Sequence, residues 1–312
     1  MSNKARIRKI AKAVTPEPIR NVLRGWLDSI DQAKRAEVER LQAAEQEKAR
    51  IAYRRQFTSR YFDKKIKLLE EWIPKFTETS NFYYRLTPDN RDHLAQLISV
   101  VTGMQYESIM RYLDELEQDD ELRGHLESVL KASTYERDIR VEYGRRLGWY
   151  AFVRVLKPRV VVETGVDHGV GSCVIASALL RNAEEGHPGH YFGTEIRPEG
   201  GQLFKGRYQE VGKILYGDSI ESLKAFHEPI DIFINDSDHS ADYEYNEYLV
   251  IEKKLSPDGL ILGDNSHVTD RLSRFSRETG RKFLFFAERP EDHWYPGAGI
   301  GVSFTSRSAV GR

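Results

Sequence analysis

The chain has 312 residues, 40% of them hydrophobic and 11% aromatic, enough for one large domain or two smaller ones with a real core. Its 47 Lys and Arg balance 48 Asp and Glu to a formal charge of −1, so overall charge gives no case for nucleic-acid binding. The single cysteine, Cys173, excludes an internal disulfide and fits a reducing cytosol; no run reaches the ~18 apolar residues of a membrane span, and the basic start MSNKARIRKI lacks a signal-peptide core, so a cytoplasmic protein is expected.

Residues 1–24 carry Lys4, Arg6, Arg8, Lys9, Lys12, Arg20 and Arg24 against Glu17 alone. Thr15-Pro16 reads as a helix start. Ile19, Val22, Leu23, Trp26, Leu27 and Ile30 then share one face of a basic amphipathic helix. The regular, Trp-bearing face suits docking on protein better than lying on an anionic membrane surface. From Asp31 to Ile73 there is no Pro or Gly, and DQAKRAEVERLQAAEQEKAR is nearly all strong helix formers, a solvated or partner-bound helix. Heptads are not sustained, so no coiled coil is predicted. Pro74 ends this stretch.

Thr87-Pro88 opens another helix, closed by Gly103, and YESIMRYLDELEQ continues helically. The acids Asp114 to Glu121 read as a solvated face. Residues 1–135 are therefore expected to be an all-helical region that mediates homo-oligomer formation, holds a partner or covers a substrate. Residues 136–312 form a second domain.

There the pattern alternates. VVVETGVDHGVGS (160–172) is an apolar strand, a turn with Gly165, Gly169 and Gly171, and a helix start. Such a turn lets the backbone approach a bound group, and free N–H groups at the helix start favour a carboxylate or phosphate. It can equally be an ordinary βα turn. The dinucleotide spacing G-x-G-x-x-G is absent, which points away from NAD and toward another adenosine ligand. HYFGTEI (190–196), KILYGD (213–218), DIFIND (231–236) and GLILGD (259–264) are further strands with helices between. This predicts an α/β, Rossmann-like doubly wound parallel sheet. KFLFFAE and GIGVSFTS should close it as an antiparallel hairpin at the edge.

Ligands of such sheets bind beyond the carboxyl ends of the strands. Those ends carry Glu163 and the glycines, then Glu195, then Gly217-Asp218-Ser219, then Asn235 to His239, then Asp264-Asn265. Glu195 is placed to accept two ribose hydroxyls, and Asp218 an adenine amino group. Asp236, Asp264 and Asn265 offer two carboxylates and an amide oxygen, a set that suits Mg²⁺ or another divalent cation. His239 would lie over the same site as a general base.

ETGVDHGVG, TEIRPE, YGDSIES, FINDSDH and GDN, in this order, resemble the motifs of class I S-adenosylmethionine-dependent methyltransferases, in particular the catechol-type metal-dependent O-methyltransferases. The Asp-Ser-Asp-His form is more like bacterial methyltransferases of sugars and secondary metabolites. The resemblance covers about 145–306. It implies S-adenosylmethionine as cofactor, held at Glu163, Gly165, Glu195, Gly217 and Ser219, and Mg²⁺ held at Asp236, Asp264 and Asn265. The family's catalytic Lys falls on His239 here, so His239 or Asp238 would take the proton of a small-molecule or sugar hydroxyl. Two rival readings remain: a nucleotide-sugar glycosyltransferase using Asp236-Ser237-Asp238, and a non-catalytic scaffold. In EDHWYPGAG (291–299), Trp294 and Tyr295 can stack on an acceptor ring and His293 can bond a hydroxyl, or the three can simply anchor the loop.

Overall fold

The computed structural model describes residues 16–75, 84–131 and 141–305. The chain divides into two compact units, Met1–Lys67 and Leu68–Arg312. The first unit is carried by a single helix, α1 (Glu17–Trp72), which runs uninterrupted through the segment free of Pro and ends just before Pro74. Its expected cap at Thr15, and the basic residues before it, lie outside the described residues. No described helix is long and apolar enough to cross a membrane.

The second unit opens with α2 (Pro88–Thr102), α3 (Tyr106–Glu117) and α4 (Asp120–Lys131). α2 starts as its sequence dictates: Thr87 caps the Asn90 N–H, Pro88 takes the first turn, and Gly103 closes the helix in the left-handed conformation. These helices belong to the same hydrophobic core as the sheet, through Leu94, Ile98, Leu113 and Leu126. The acids of 114–121 are not a purely solvated face. Glu115 accepts from Tyr150 and Arg154, at 2.5 and 2.7 Å. Buried Asp119 caps α4 at Leu122 and accepts from Ser177. Helical periodicity shows where an acid sits on its own helix, not which cation a later helix brings to it.

The sheet then forms from β1 (Val160–Thr164), β2 (His190–Glu195), β3 (Gly212–Tyr216), β4 (Ile230–Asn235), β5 (Leu255–Gly263), β6 (Lys282–Ala287) and β7 (Gly299–Phe304). Its order is β3-β2-β1-β4-β5-β7-β6, with β7 antiparallel to both neighbours. This is the predicted sheet with its closing hairpin. The helices between strands are α5 (Arg146–Leu156, before β1), α6 (Val170–Glu184), α7 (Ser219–Ala225), α8 (Ala241–Ile251) and α9 (Arg271–Glu278). Alternate residues of one strand face opposite ways. Thus Val161 joins the core under α2 to α6, while Val160 and Val162 join a second core with Leu223, Tyr248 and Phe275. Both faces of β1 are covered, which is why Val160–Val162 reads as an unbroken apolar run.

Candidate active site

The carboxyl ends of β1, β2, β4 and β5 open into a cavity of about 760 Å³. The sequence-predicted residues Glu163, Gly165, Gly169, Gly171, Glu195, Gly217, Asp218, Ser219, Asp236, Asp238, His239 and Asp264 all line it. Asn265 does not line it but bonds His239 and the Asp238 carbonyl, which do.

At the β1 end, Gly165 has φ +84 and a Cβ there would collide with the Asp236 carbonyl oxygen, so only glycine lets the turn close on β4. α6 then begins at Gly169, φ +98, with no side chain capping it. Its first N–H groups border the cavity, an arrangement that favours an anionic group. Glu163 is buried and bonded to Ser172 and Tyr191. Burial pushes its carboxyl up to about 7, against the lowering effect of those two bonds.

Glu195 is buried at the end of β2. One oxygen accepts from the Asp167 N–H at 2.7 Å and the other from the Arg197 N–H at 2.9 Å. The oxygen facing Arg197 also accepts from its Nε at 3.1 Å, so Glu195 shapes the loop around the cavity while the oxygen facing Asp167 keeps a second lone pair. Asp218 is the N-cap of α7, accepting from the Glu221 N–H at 3.0 Å, and it also receives the Tyr243 hydroxyl. The spelling Asp218-Ser-Ile-Glu221 carried that cap signal. Ser219 bonds Tyr243 and Glu247.

Glu247, on α8, is a site residue that the motifs do not mark. It is fully buried and accepts from Thr164, Ser219, Asn235 and Ser237, so one carboxylate ties the ends of β1 and β4 to the start of α7. Burial raises its pKa, and the four bonds oppose that.

The trio expected to hold a divalent cation is arranged otherwise. The guanidinium of Arg145, buried just before α5, donates to Asp264 and approaches Glu288 at 3.8 Å and the Tyr84 hydroxyl at 3.2 Å. Burial alone would lower the Arg145 pKa, but Asp264, Tyr84 and Glu288 raise it well above its ordinary value. Asn265 has its amide oxygen against His239 Nδ1. Two of the three expected ligands thus face protein donors. Among the described residues no group of three or more His, Cys, Asp or Glu is disposed to hold a metal. As arranged, the set does not fit Mg²⁺. Removal from water and the neighbouring Asp264 carboxylate push the Asp236 pKa well up, while Arg145 pulls it down.

His239 is oriented by this same bond. The Asn265 amide nitrogen points to the Asp238 carbonyl at 3.4 Å, so its oxygen faces His239, and that oxygen only accepts. Nδ1 therefore carries the proton and Nε2 keeps a lone pair. Asp238 is exposed and accepts the Ser240 N–H at 2.6 Å; the Ser240 side chain first, and then that N–H, hold its carboxyl below its ordinary value. It is the weaker base. Tyr295 lines the cavity. His293 and Trp294 instead pack on Trp72, with ring centroids 5.4 and 6.0 Å away, and His293 also packs on Tyr84; they anchor the loop. Cys173 is buried and donates to the Leu203 carbonyl, and burial pushes its thiol up; it is a packing residue.

Comparison with known proteins agrees with the motifs. Residues 162–266 match the family model described as a methyltransferase domain. This bears out the class expected from the sequence. No curated protein matches. Among solved structures, the O-methyltransferase TomG of Streptomyces achromogenes, in complex with SAM, is 13% identical. That match covers 61% of this chain and 91% of TomG, with a TM-score of 0.44. An O-methyltransferase of Bacillus cereus in complex with SAH is 15% identical over 68% of this chain and 97% of that one, TM-score 0.42. A methyltransferase of Geobacter sulfurreducens is 16% identical over 64% and 96%, TM-score 0.43. These likenesses are distant, and the strand order and cavity above stand without them.

Proposed function

We propose that this chain transfers the methyl group of S-adenosylmethionine to a hydroxyl of a small molecule or sugar, with His239 as base. The observation that carries the reading is the convergence on one cavity of the Gly165–Gly171 turn, Glu195 and the oriented His239.

The residues fit the cofactor. The uncapped start of α6 suits its carboxylate, and the Glu195 oxygen bonded to the Asp167 N–H retains a lone pair for a ribose hydroxyl. When bound, S-adenosylmethionine supplies an electrophilic methyl group on a positively charged sulfur. His239 Nε2 takes the proton of the acceptor hydroxyl, and Asn265 steadies the imidazolium that results. Arg145 supplies the counter-charge to Asp264, and no step is assigned to a metal. Tyr295 and Trp149 give the cavity apolar wall against which an acceptor ring can lie. The helical region is assigned a role in self-association.

The test is a thermal melt with S-adenosylhomocysteine, with a nucleotide sugar, and with neither, followed by a screen of sugars and phenols for S-adenosylhomocysteine release. A shift with the first ligand alone and release with a hydroxyl acceptor are expected. Absence of any shift with S-adenosylhomocysteine would overturn the reading.

A further inference from the structure

α1 is 56 residues long, about 84 Å at 1.5 Å per residue, and Trp72 at its end is its single buried residue. Helices in water are held mainly by packing of an apolar face, and this one presents such a face to solvent. Trp26, Leu41, Ile51, Phe62 and Ile66 are between 48% and 61% exposed. On a helical projection they fall, with Ala33, Ala44 and Leu69, in a band about 100° wide. The spacing is not heptad. Ile19, Ile30 and Leu41 are eleven apart, as are Ile51, Phe62 and Ile73. An eleven-residue repeat keeps one stripe along a nearly straight helix, which explains why no heptads are sustained.

Charge is distributed unevenly along the same helix. Residues 28–47 hold six acids and three bases, whereas residues 48–67 hold eight bases and one acid. The exposed pairs within the helix, Glu45 with Lys48 and Glu47 with Arg50 and Arg54, lie at 3.5–3.8 Å and offset little of the basic half. The occupant that matches both stripe and charge is the helix itself, reversed.

We infer that α1 pairs antiparallel with α1 of a second copy of this chain, centred between Glu47 and Lys48. In this register Trp26 meets Leu69, Ala33 meets Phe62 and Ala44 meets Ile51, so large side chains face small ones near the centre. Glu45 comes opposite Arg50, and the acidic half of each helix runs along the basic half of the other. Parallel pairing would set the eight bases of each 48–67 segment beside one another. This inference is independent of the methyl-transfer reading.

The full-length chain tests it by light scattering and by disulfide trapping. A dimer is expected whose dissociation constant weakens at least tenfold between low and high salt. Because Cys173 is buried, introduced thiols report the register. Ala33→Cys mixed with Phe62→Cys should give a cross-linked dimer under mild oxidation, while Ala33→Cys alone should not. Reversing Lys48 and Arg50 to Glu should cost at least tenfold in dimer affinity, and reversing Glu45 and Glu47, which lie opposite them, to Lys in the same chain should restore it. A monomer at all concentrations would overturn the inference. So would self-cross-linking of Ala33→Cys, or α1 taken up by anionic vesicles with no dimer in solution.

Discussion

Gly165 of the first turn rests on the main chain of Asp236, with the position of a Cβ only 2.7 Å from the Cα of Ser237. The turn after β1 and the end of β4 are thus in direct backbone contact. Gly165→Ala must relieve both that collision and a φ of +84. We expect a loss of at least about 2 kcal/mol of stability and weaker S-adenosylhomocysteine binding. Urea unfolding and calorimetry measure the two; unchanged values in both would contradict the geometry.

Glu163 gives a pH dependence of known sign. Its carboxyl lies near 7 in the folded chain, above its ordinary 4.5, because burial penalises the charged form. Between these values the unfolded chain gives up the proton first. Stability is therefore full below about pH 4.5, falls as pH rises, and levels off above about 7, by on the order of 3 kcal/mol. Glu163→Gln removes this component. Urea unfolding at pH 5 and pH 8 should show a smaller difference in the variant; equal differences would refute it.

Arg145 and Asp264 form a buried pair, 9% and 4% exposed. Removing one partner leaves a buried charge uncompensated, so Arg145→Met should cost about 3–5 kcal/mol. The double variant Arg145→Met, Asp264→Leu should cost less than the sum of the singles. Since the arginine neutralises this carboxylate, EDTA should leave methyl transfer unchanged. Activity lost in EDTA and restored by Mg²⁺ would return Asp236, Asp264 and Asn265 to the role of metal ligands.

The two candidate bases separate by substitution. His239→Gln should lower kcat by about 10²–10⁴ with little change in cofactor affinity. Asp238→Asn should cost under about tenfold, because that carboxyl is already committed to Ser240. Single-turnover methyl transfer reads the difference, and the reverse order would make Asp238 the base.

Much of this was legible in the sequence, and for physical reasons. Strands covered on both faces are mostly apolar, so β1 and β4 stand out as Val160–Val162 and Ile232–Ile234. Their polar ends mark the cavity rim. The start of β5 was not legible: it begins at Leu255, before the predicted Gly259, where the pairing with β4 shifts register after Ile230. Arg145 was not legible either. Two arginines before an apolar helix look like surface charge until the fold brings Tyr84, Asp264 and Glu288 around the first of them. The second task of Asp218, capping α7 at the Glu221 N–H, was legible in the Asp-x-x-Glu spacing.

Tyr84 holds Glu288 at 3.0 Å, Thr87 donates to the Arg289 carbonyl, and Glu291 donates to the Arg85 carbonyl. Asn90 also reaches both Ala287 and Arg289. The loop that brings Tyr295 to the cavity is therefore stitched along its length to a segment some two hundred positions earlier in the chain. Tyr295 and Arg145 belong to this seam, whereas the glycine turn and Glu195 belong to the βα units from β1 to β2. The two sets can change independently. Substitutions along the seam can reshape what the cavity admits while the glycine turn stays as it is, so on the proposed reading the scaffold could take new acceptors without rebuilding the half that would hold the methyl donor.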